Sequence, residues 1–462
     1  MIYQKHIDRI DETADLVVFG GGISGVACAV SAARRGLRVV LIERGGCLGG
    51  MATAGGVHIL LGGRRYDSKL DKIVRVQGGL FDEITDRMIQ NGWAADPETV
   101  DLHNFNPYGW YPRMAAGVCC DIDRLKVVLD EICLNAGVEI RFFTNVIDAV
   151  PGENQKLDYV IVSAQSEIYA IRAPLYADCT GNADIAYYAG AETFKGRDED
   201  HGVCPSTLCF FVDQVDAKEY VQYQNLHQSP KLVEIIERLK NDGKWPFNVN
   251  IFIGIKTAQE GVFLINTLRQ TGVDATDSAS LTKAILEGRS QSIQLLDIIR
   301  EYFPGFRNAR LRHISDVMGI RESRRIKGRY TITIKDALEG AHHDDCVATT
   351  TYNFDLPDPK NPSIDAMMGD VRTPNAERKH VRIEIPYRSL LPVSVNNLIV
   401  PGRALCAERE VMGACRVMGP SSGMGQAAGN AAALAMETGD YNLVDVSVLR
   451  SRLKTEGVLN LD

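Results

Sequence analysis

The chain has 462 residues, 45% hydrophobic and 24% charged, with a formal net charge of −8. That length exceeds one compact core and suits two domains, and the acidic balance argues against a general nucleic-acid binder, which needs a basic face. Eleven cysteines without repeating spacing speak against a disulfide framework and fit a reduced compartment.

The opening stretch, "MIYQKHIDRIDETADLVVFGGG", stays charged up to its first apolar run and lacks the apolar core of a signal peptide. No apolar run is long enough to span a bilayer. The expectation is a cytoplasmic protein with neither a membrane nor a nucleic acid as partner.

Asp15 to Phe19 is a short β-branched run that reads as a buried parallel strand. "ISGVACAVSAARRG" follows as a helix whose Gly25, Ala29, Ala32 and Ala33 form a small-residue stripe, closed by Gly36. "LRVVLIE" is the second strand, ending on Glu43. Gly20, Gly22 and Gly25 therefore carry G-x-G-x-x-G spacing inside a βαβ unit. Gly20 permits the tight turn, Gly22 lets the backbone approach a pyrophosphate, and Gly25 lets the helix sit close to the sheet. Glu43 suits a ribose 2′-OH and would repel a 2′-phosphate. A dinucleotide site is the expectation, with NAD and FAD both open at this point.

"RGGCLGGMATAGGV", Arg44 to Val57, has six glycines in fourteen residues. It is either a second loop wrapping an extended ligand or a slack surface loop. Residues 58–117 read as irregular cap material rich in aromatic and turn residues. "DIDRLKVVLDEICLNAG" is an amphipathic helix, "VEIRFFT" a strand, and Asp158 to Ala164 and Glu167 to Ala170 are two alternating strands. An apolar strand ends at Asp178, followed by Thr180, Gly181 and a helix beginning near Asp184.

From about Phe194 to Glu384 the pattern is mixed, with strands in "STLCFFVD", "NVNIFIG" and "GVFLINT" and a long helix from Ser278 to Tyr302. This suits a separate antiparallel α+β domain. The last 80 residues return to the pattern of the opening ones. There "NLIVPGRAL" is a buried strand with a Gly turn, and "SSGMGQAAGNAAALA" a Ser-capped helix. The chain divides into a discontinuous nucleotide domain (1–57, 118–195 and 385–462) and a substrate or cap domain (58–117 and 196–384).

In chain order, "GGGISG…E", "GGMATAGG", "ADCTGNADIAYYAGA", "GIRESRRIKGRY", "IPYRSLLP…NLIVPGR" and "RVMGPSSGMGQAAGNAAALA" resemble the FAD-dependent oxidoreductases related to fumarate reductase and succinate dehydrogenase flavoproteins. The resemblance implies an α/β fold: a Rossmann-like, glutathione-reductase-type FAD-binding domain with an inserted mixed α+β domain. It implies that Gly20, Gly22 and Gly25 hold the pyrophosphate and Glu43 the adenosine ribose, beside Arg44. Gly49, Gly50, Met51, Ala52 and Thr53 would line the flavin side. Thr180 and Gly181 would make a second FAD contact, and Gly402 and Arg403 would lie where the chain returns to the cofactor. The segment holding Ser422, Gly423, Met424 and Gln426 would aim a helix N-terminus at the flavin pyrimidine, where positive potential stabilises an anionic reduced ring. Arg416, just before that helix, would contact cofactor or substrate.

FAD rather than NAD is also favoured by the absence of a second G-x-G-x-x-G βαβ unit. The loop of Arg44 to Val57 holds no histidine where succinate dehydrogenase relatives attach flavin, so non-covalent FAD is expected. Arg321 and Arg324 in "RESRRIKGR" are candidates to clamp a carboxylate, against the reading of a charged strand edge internally paired through Glu322. His58 and His313 are candidate proton shuttles, with Tyr387 and Arg388 as comparable choices. Cys204 and Cys209 lie too far downstream for a disulfide-reductase pair. "HHDD", His342 to Asp345, reads as a turn rather than a metal site.

The leading expectation is an FAD-dependent oxidoreductase transferring a hydride between flavin and a small organic substrate, anionic or polyhydroxylated, with a separate electron acceptor or donor. A base such as His58 or His313 would serve an alcohol or amine; the arginines would serve a CH–CH step. The alternatives are a flavin-carrying electron-transfer subunit, weakened by the lack of iron–sulfur cysteine spacing, and an NAD-only dehydrogenase. Homo-oligomerisation is left open.

Overall fold

The computed structural model describes residues 7, 9–109, 116–365, 369–370 and 382–461. At its centre lies a five-stranded parallel sheet. Its strands are β1 (Leu16–Phe19), β2 (Val39–Ile42), β3 (Glu139–Arg141), β4 (Leu175–Asp178) and β5 (Leu398–Ile399). They run in the order β5-β4-β1-β2-β3. Every residue of β1, β2 and β4 is buried, as expected of parallel strands covered on both faces. The sheet draws on three widely separated stretches of chain, and β1 sits in the middle with β4 and β2 in register on either side.

Helix α1 (Ile23–Arg34) crosses from β1 to β2, and helix α2 (Met418–Ala435) packs on it. The two backbones nearly touch. A Cβ at Gly425 would stand 2.1 Å from the Ser24 carbonyl oxygen, and one at Gly429 would stand 2.2 Å from that of Cys28. Small residues one turn apart make this approach possible.

The connection from β3 to β4 supplies three antiparallel strands, Thr144–Pro151, Leu157–Ala164 and Glu167–Ile171, to a four-stranded sheet completed by Ile10–Asp11, which runs parallel to the last of them. A second, four-stranded sheet has the order Gly254–Lys256, Phe263–Ile265, Phe210–Asp213, Arg310–Ile314. Its outer face packs on an aromatic cluster of Tyr220, Phe252, Phe263 and Phe306. Its inner face presents Cys209, Phe211 and Leu264 to Val57.

Two local expectations need correction. Residues 58–117 are not irregular throughout: Gly79–Gln90 is a helix, burying Leu80, Phe81, Ile84, Thr85 and Met88 on one side. That 3.6-residue periodicity stands in the sequence but is flanked by turn residues that mask it. Positions 110–115 of that stretch lie outside the described residues. Helix α2 begins at Met418, with Val417 as N-cap and no side-chain cap, not at a capping serine. Pro420 falls in its first turn, where a missing N–H removes nothing from the helix.

Candidate active site

The Gly-rich turn between β1 and α1 opens onto a cavity of about 1260 Å³. Gly25 is buried, and a Cβ there would stand 1.8 Å from the Gly20 carbonyl oxygen, so the helix can start only where a hydrogen replaces the side chain. Gly22 is different: a Cβ there would meet nothing within 4 Å, because its open side faces the cavity. Gly22 caps α1 without a side-chain acceptor, and the first turn holds no acidic residue. The free N–H groups of that turn therefore offer a ready anion site.

Glu43 closes β2 with both carboxylate oxygens engaged, accepting from Gly21 N–H and Gly45 N–H at 2.7 Å each. This ties the second glycine loop to the first, and Gly49 N–H donates to the Gly21 carbonyl at 2.8 Å. Arg44, Gly49, Gly50, Met51 and Ala52 line the cavity alongside Gly20 and Gly22.

Across the turn, Asp178 at the end of β4 is fully buried. It accepts from the Thr180 hydroxyl at 2.6 Å and from Ile185 and Ala186 N–H. Burial first, then the neighbouring Asp184, raise its pKa to about 6. It holds Thr180 and Gly181 on the cavity wall. Arg403 spans that wall, donating to the carbonyls of Gly181 at 2.8 Å and Ile320 at 2.7 Å. Burial, then Arg44, pull Arg403 down to about 10. Two cations beside a helix N-terminus fit a pyrophosphate. Gly402 completes this side.

The far part of the same cavity holds three more guanidiniums. Arg321 donates from Nη1 to the Pro205 carbonyl at 2.8 Å and to Thr207 Oγ1 at 2.9 Å. Arg269 also donates to Thr207 Oγ1 at 2.9 Å, and all of its hydrogen bonds among the described residues leave from Nη1. Thr207 in turn donates to the Leu268 carbonyl at 2.8 Å, which leaves its two lone pairs to the two arginines. Among the described residues neither arginine has a carboxylate partner. Burial, then Arg321, push Arg269 down to about 9; burial, then Arg416, lower Arg321. Burial acts most strongly against the charge of Arg416, but Asp355, which it contacts at 2.9 Å, together with further electronegative neighbours including Glu322, raises its pKa on balance. One carboxylate, Asp355, thus stands among three cations, Arg269 buried and Arg321 and Arg416 partly buried; it contacts Arg416 and supports the charge of the other two from further away.

Not every expected residue reaches this cavity. Arg324 does, but donates to Asp184 at 2.9 Å and lies 3.9 Å over the Tyr187 ring, so its charge is already matched. His58 is fully buried off the cavity wall, in contact with the Lys256 carbonyl at 3.1 Å, and burial lowers its pKa to about 4. His313 is exposed on the outermost strand of the second sheet. Neither is placed to move a proton in the cavity. Thr53 turns inward to the Leu48 carbonyl. Of α2 and its N-cap, Val417, Met418 and Ser421 line the cavity. Ser422, Gly423, Met424 and Gln426 lie up to two turns further in and pack inside the molecule, with Gln426 accepting from Leu80 N–H. Tyr387 is buried and donates to the Tyr441 carbonyl, and Arg388 pairs with Asp345. Cys204 is buried beside Arg409, while Cys209 lines the cavity. His342 Nδ1 lies 3.2 Å from Glu384.

Sequence reasoning missed Arg269, Asn266 and Thr207. The only signal for Arg269 is a lone cation closing the apolar run "GVFLINTLR"; nothing local marks the other two.

Among solved structures, the chain is similar to a geranylgeranyl bacteriochlorophyll reductase-like protein from Thermoplasma acidophilum. The identity is 14% and the TM-score 0.47, over 97% of this chain and 85% of that one. It is similar also to the flavin-dependent brominase Bmp2 (12%, TM-score 0.46, 96% and 83%). A third is p-nitrophenol 4-monooxygenase from Pseudomonas putida (12%, TM-score 0.43, 96% and 81%). No curated protein matches the chain. The family model described as FAD dependent oxidoreductase matches residues 15–453, nearly the whole length. The chain belongs to the FAD dependent oxidoreductase family, and the dinucleotide that its glycine turn suits is FAD.

Proposed function

We propose that this FAD-dependent oxidoreductase acts on a small organic anion, exchanging a hydride with FAD held non-covalently. FAD, when bound, supplies the two-electron chemistry. The chain's own residues supply binding and orientation. The α1 N-terminus, Arg44 and Arg403 would neutralise the pyrophosphate, and Glu43, both of whose oxygens keep a free lone pair, would accept from a ribose hydroxyl. Arg269 and Arg321 would hold the substrate carboxylate from two sides, with Thr207 fixing their spacing. The observation that carries the reading is this pair of arginines, Arg269 buried and Arg321 partly buried, neither in contact with a carboxylate among the described residues, on the wall of the cavity that the glycine turn opens.

The parallel sheet with its antiparallel three-stranded connection supports a glutathione-reductase-type FAD domain. The arginine pair supports kinship with fumarate reductase flavoproteins. With His58 and His313 away from the cavity, a CH–CH redox step beside a carboxylate is favoured over alcohol or amine oxidation. The test is anaerobic bleaching of the yellow protein by saturated carboxylic acids, compared with their methyl esters. Acids are expected to bleach it, and Arg321→Gln to raise the concentration required at least tenfold, the loss of one charge-assisted contact. Equal bleaching by acid and ester, unchanged in Arg321→Gln, would overturn the reading.

A further inference from the structure

The arginine pair does not stand in a polar chamber. Asn266 lines the cavity and accepts from both Arg269 and Arg321. Its N–H donates to the Ile253 carbonyl at 3.0 Å, so Ile253 lies directly across from it on the neighbouring chain segment. The strand register pairs Ile255 with Leu264 and Gly254 with Ile265. Ile253 and Ile255 therefore share the sheet face of Leu264 and Asn266, the inner face, and Ile251 follows at the next alternate position. All three isoleucines are buried and bound the cavity.

A second segment repeats the pattern. Val57, Ile59 and Leu61, again at alternate positions, line the cavity too and belong with the isoleucine row to one apolar cluster. Lys231 also lines the cavity near this row but is engaged within the protein. A pocket for a short dicarboxylate would surround its arginines with further donors. This one continues from the arginines into two rows of branched aliphatic side chains.

We propose that the substrate is an amphipathic carboxylate, its head on Arg269 and Arg321 and its apolar chain between the Val57–Ile59–Leu61 and Ile251–Ile253–Ile255 rows. The proposal rests on the reading of this cavity as the substrate site and goes further, since it names the part of the ligand that does not react. Burial of an apolar chain there would supply binding energy remote from the reacting carbon, and the arginines would fix its direction.

The test is calorimetric titration of the purified holoprotein with acetate, hexanoate and decanoate below micellar concentration, and with decanol and succinate. Affinity is expected to rise roughly fourfold for each methylene buried. Decanoate should bind at least tenfold more tightly than decanol, because only it meets the arginines as an anion. Arg321→Gln should erase that preference and keep the chain-length slope. Ile253→Asn should flatten the slope. If Ile253→Asn does not fold, the series on the unaltered protein decides alone. Equal binding of acetate and decanoate, or tighter binding of succinate than decanoate, would overturn the proposal while leaving the flavin reading intact. A colourless protein that kept the slope would do the reverse.

Discussion

Thr207 is a small residue with a large share of the site. Its hydroxyl accepts from two guanidiniums and donates to a backbone carbonyl, so it sets where two like charges stand. Thr207→Val keeps the shape and removes the hydroxyl. We expect it to lower stability by about 1–2 kcal/mol and weaken carboxylate binding about tenfold, with Thr207→Ser restoring both; thermal unfolding and anion titration read the two effects. His58 offers a second test at this scale. It is fully buried with a pKa near 4 against an ordinary 6.5. Between those values the unfolded chain binds a proton that the folded protein refuses, so stability falls as pH drops through that window. The loss attributable to His58 is about 3 kcal/mol. Denaturant unfolding at pH 7 and pH 4.5 should show that fall shrinking in His58→Gln, and an unchanged fall would contradict the assignment.

The elements around the glycine turn separate two uses of one residue type. At Gly25 a methyl group would strike the Gly20 carbonyl, whereas at Gly22 it would enter open space on the cavity side. Gly25→Ala is therefore expected to destabilise the protein by about 1–3 kcal/mol even without cofactor. Gly22→Ala should leave the apoprotein within about 0.5 kcal/mol and lose FAD, which occupancy measured beside apoprotein unfolding would separate. This βαβ unit was legible in the sequence almost to the residue, because an apolar run, a spaced glycine turn and an acid at the next strand end act together within thirty residues. The helix from Ser278 to Tyr302 was equally legible, since its length and caps are local. The helix at Gly79–Gln90 and the true start of α2 at Met418 were not: glycines and a proline in their first turns resemble loop signals until packing reveals their roles.

Over the whole molecule, the cavity joins residues from every third of the chain: Gly22 and Glu43, Thr207 and Arg269, Arg321 and Arg403. Pairings of that range leave little trace in a single sequence, which is why Arg269 was missed while Arg321, inside a visible cluster, was not. The same distance explains the histidines, whose chemistry suited the task and whose burial or exposure could be known only from the fold. Among the described residues no helix is long and apolar enough to cross a membrane. The most direct measurement is the visible absorption spectrum of the purified protein, followed by acid precipitation and a spectrum of the supernatant. We predict a yellow protein that releases intact FAD into solution. Colour retained in the pellet would contradict non-covalent attachment, and a colourless protein that takes up no added FAD would contradict the account at its centre.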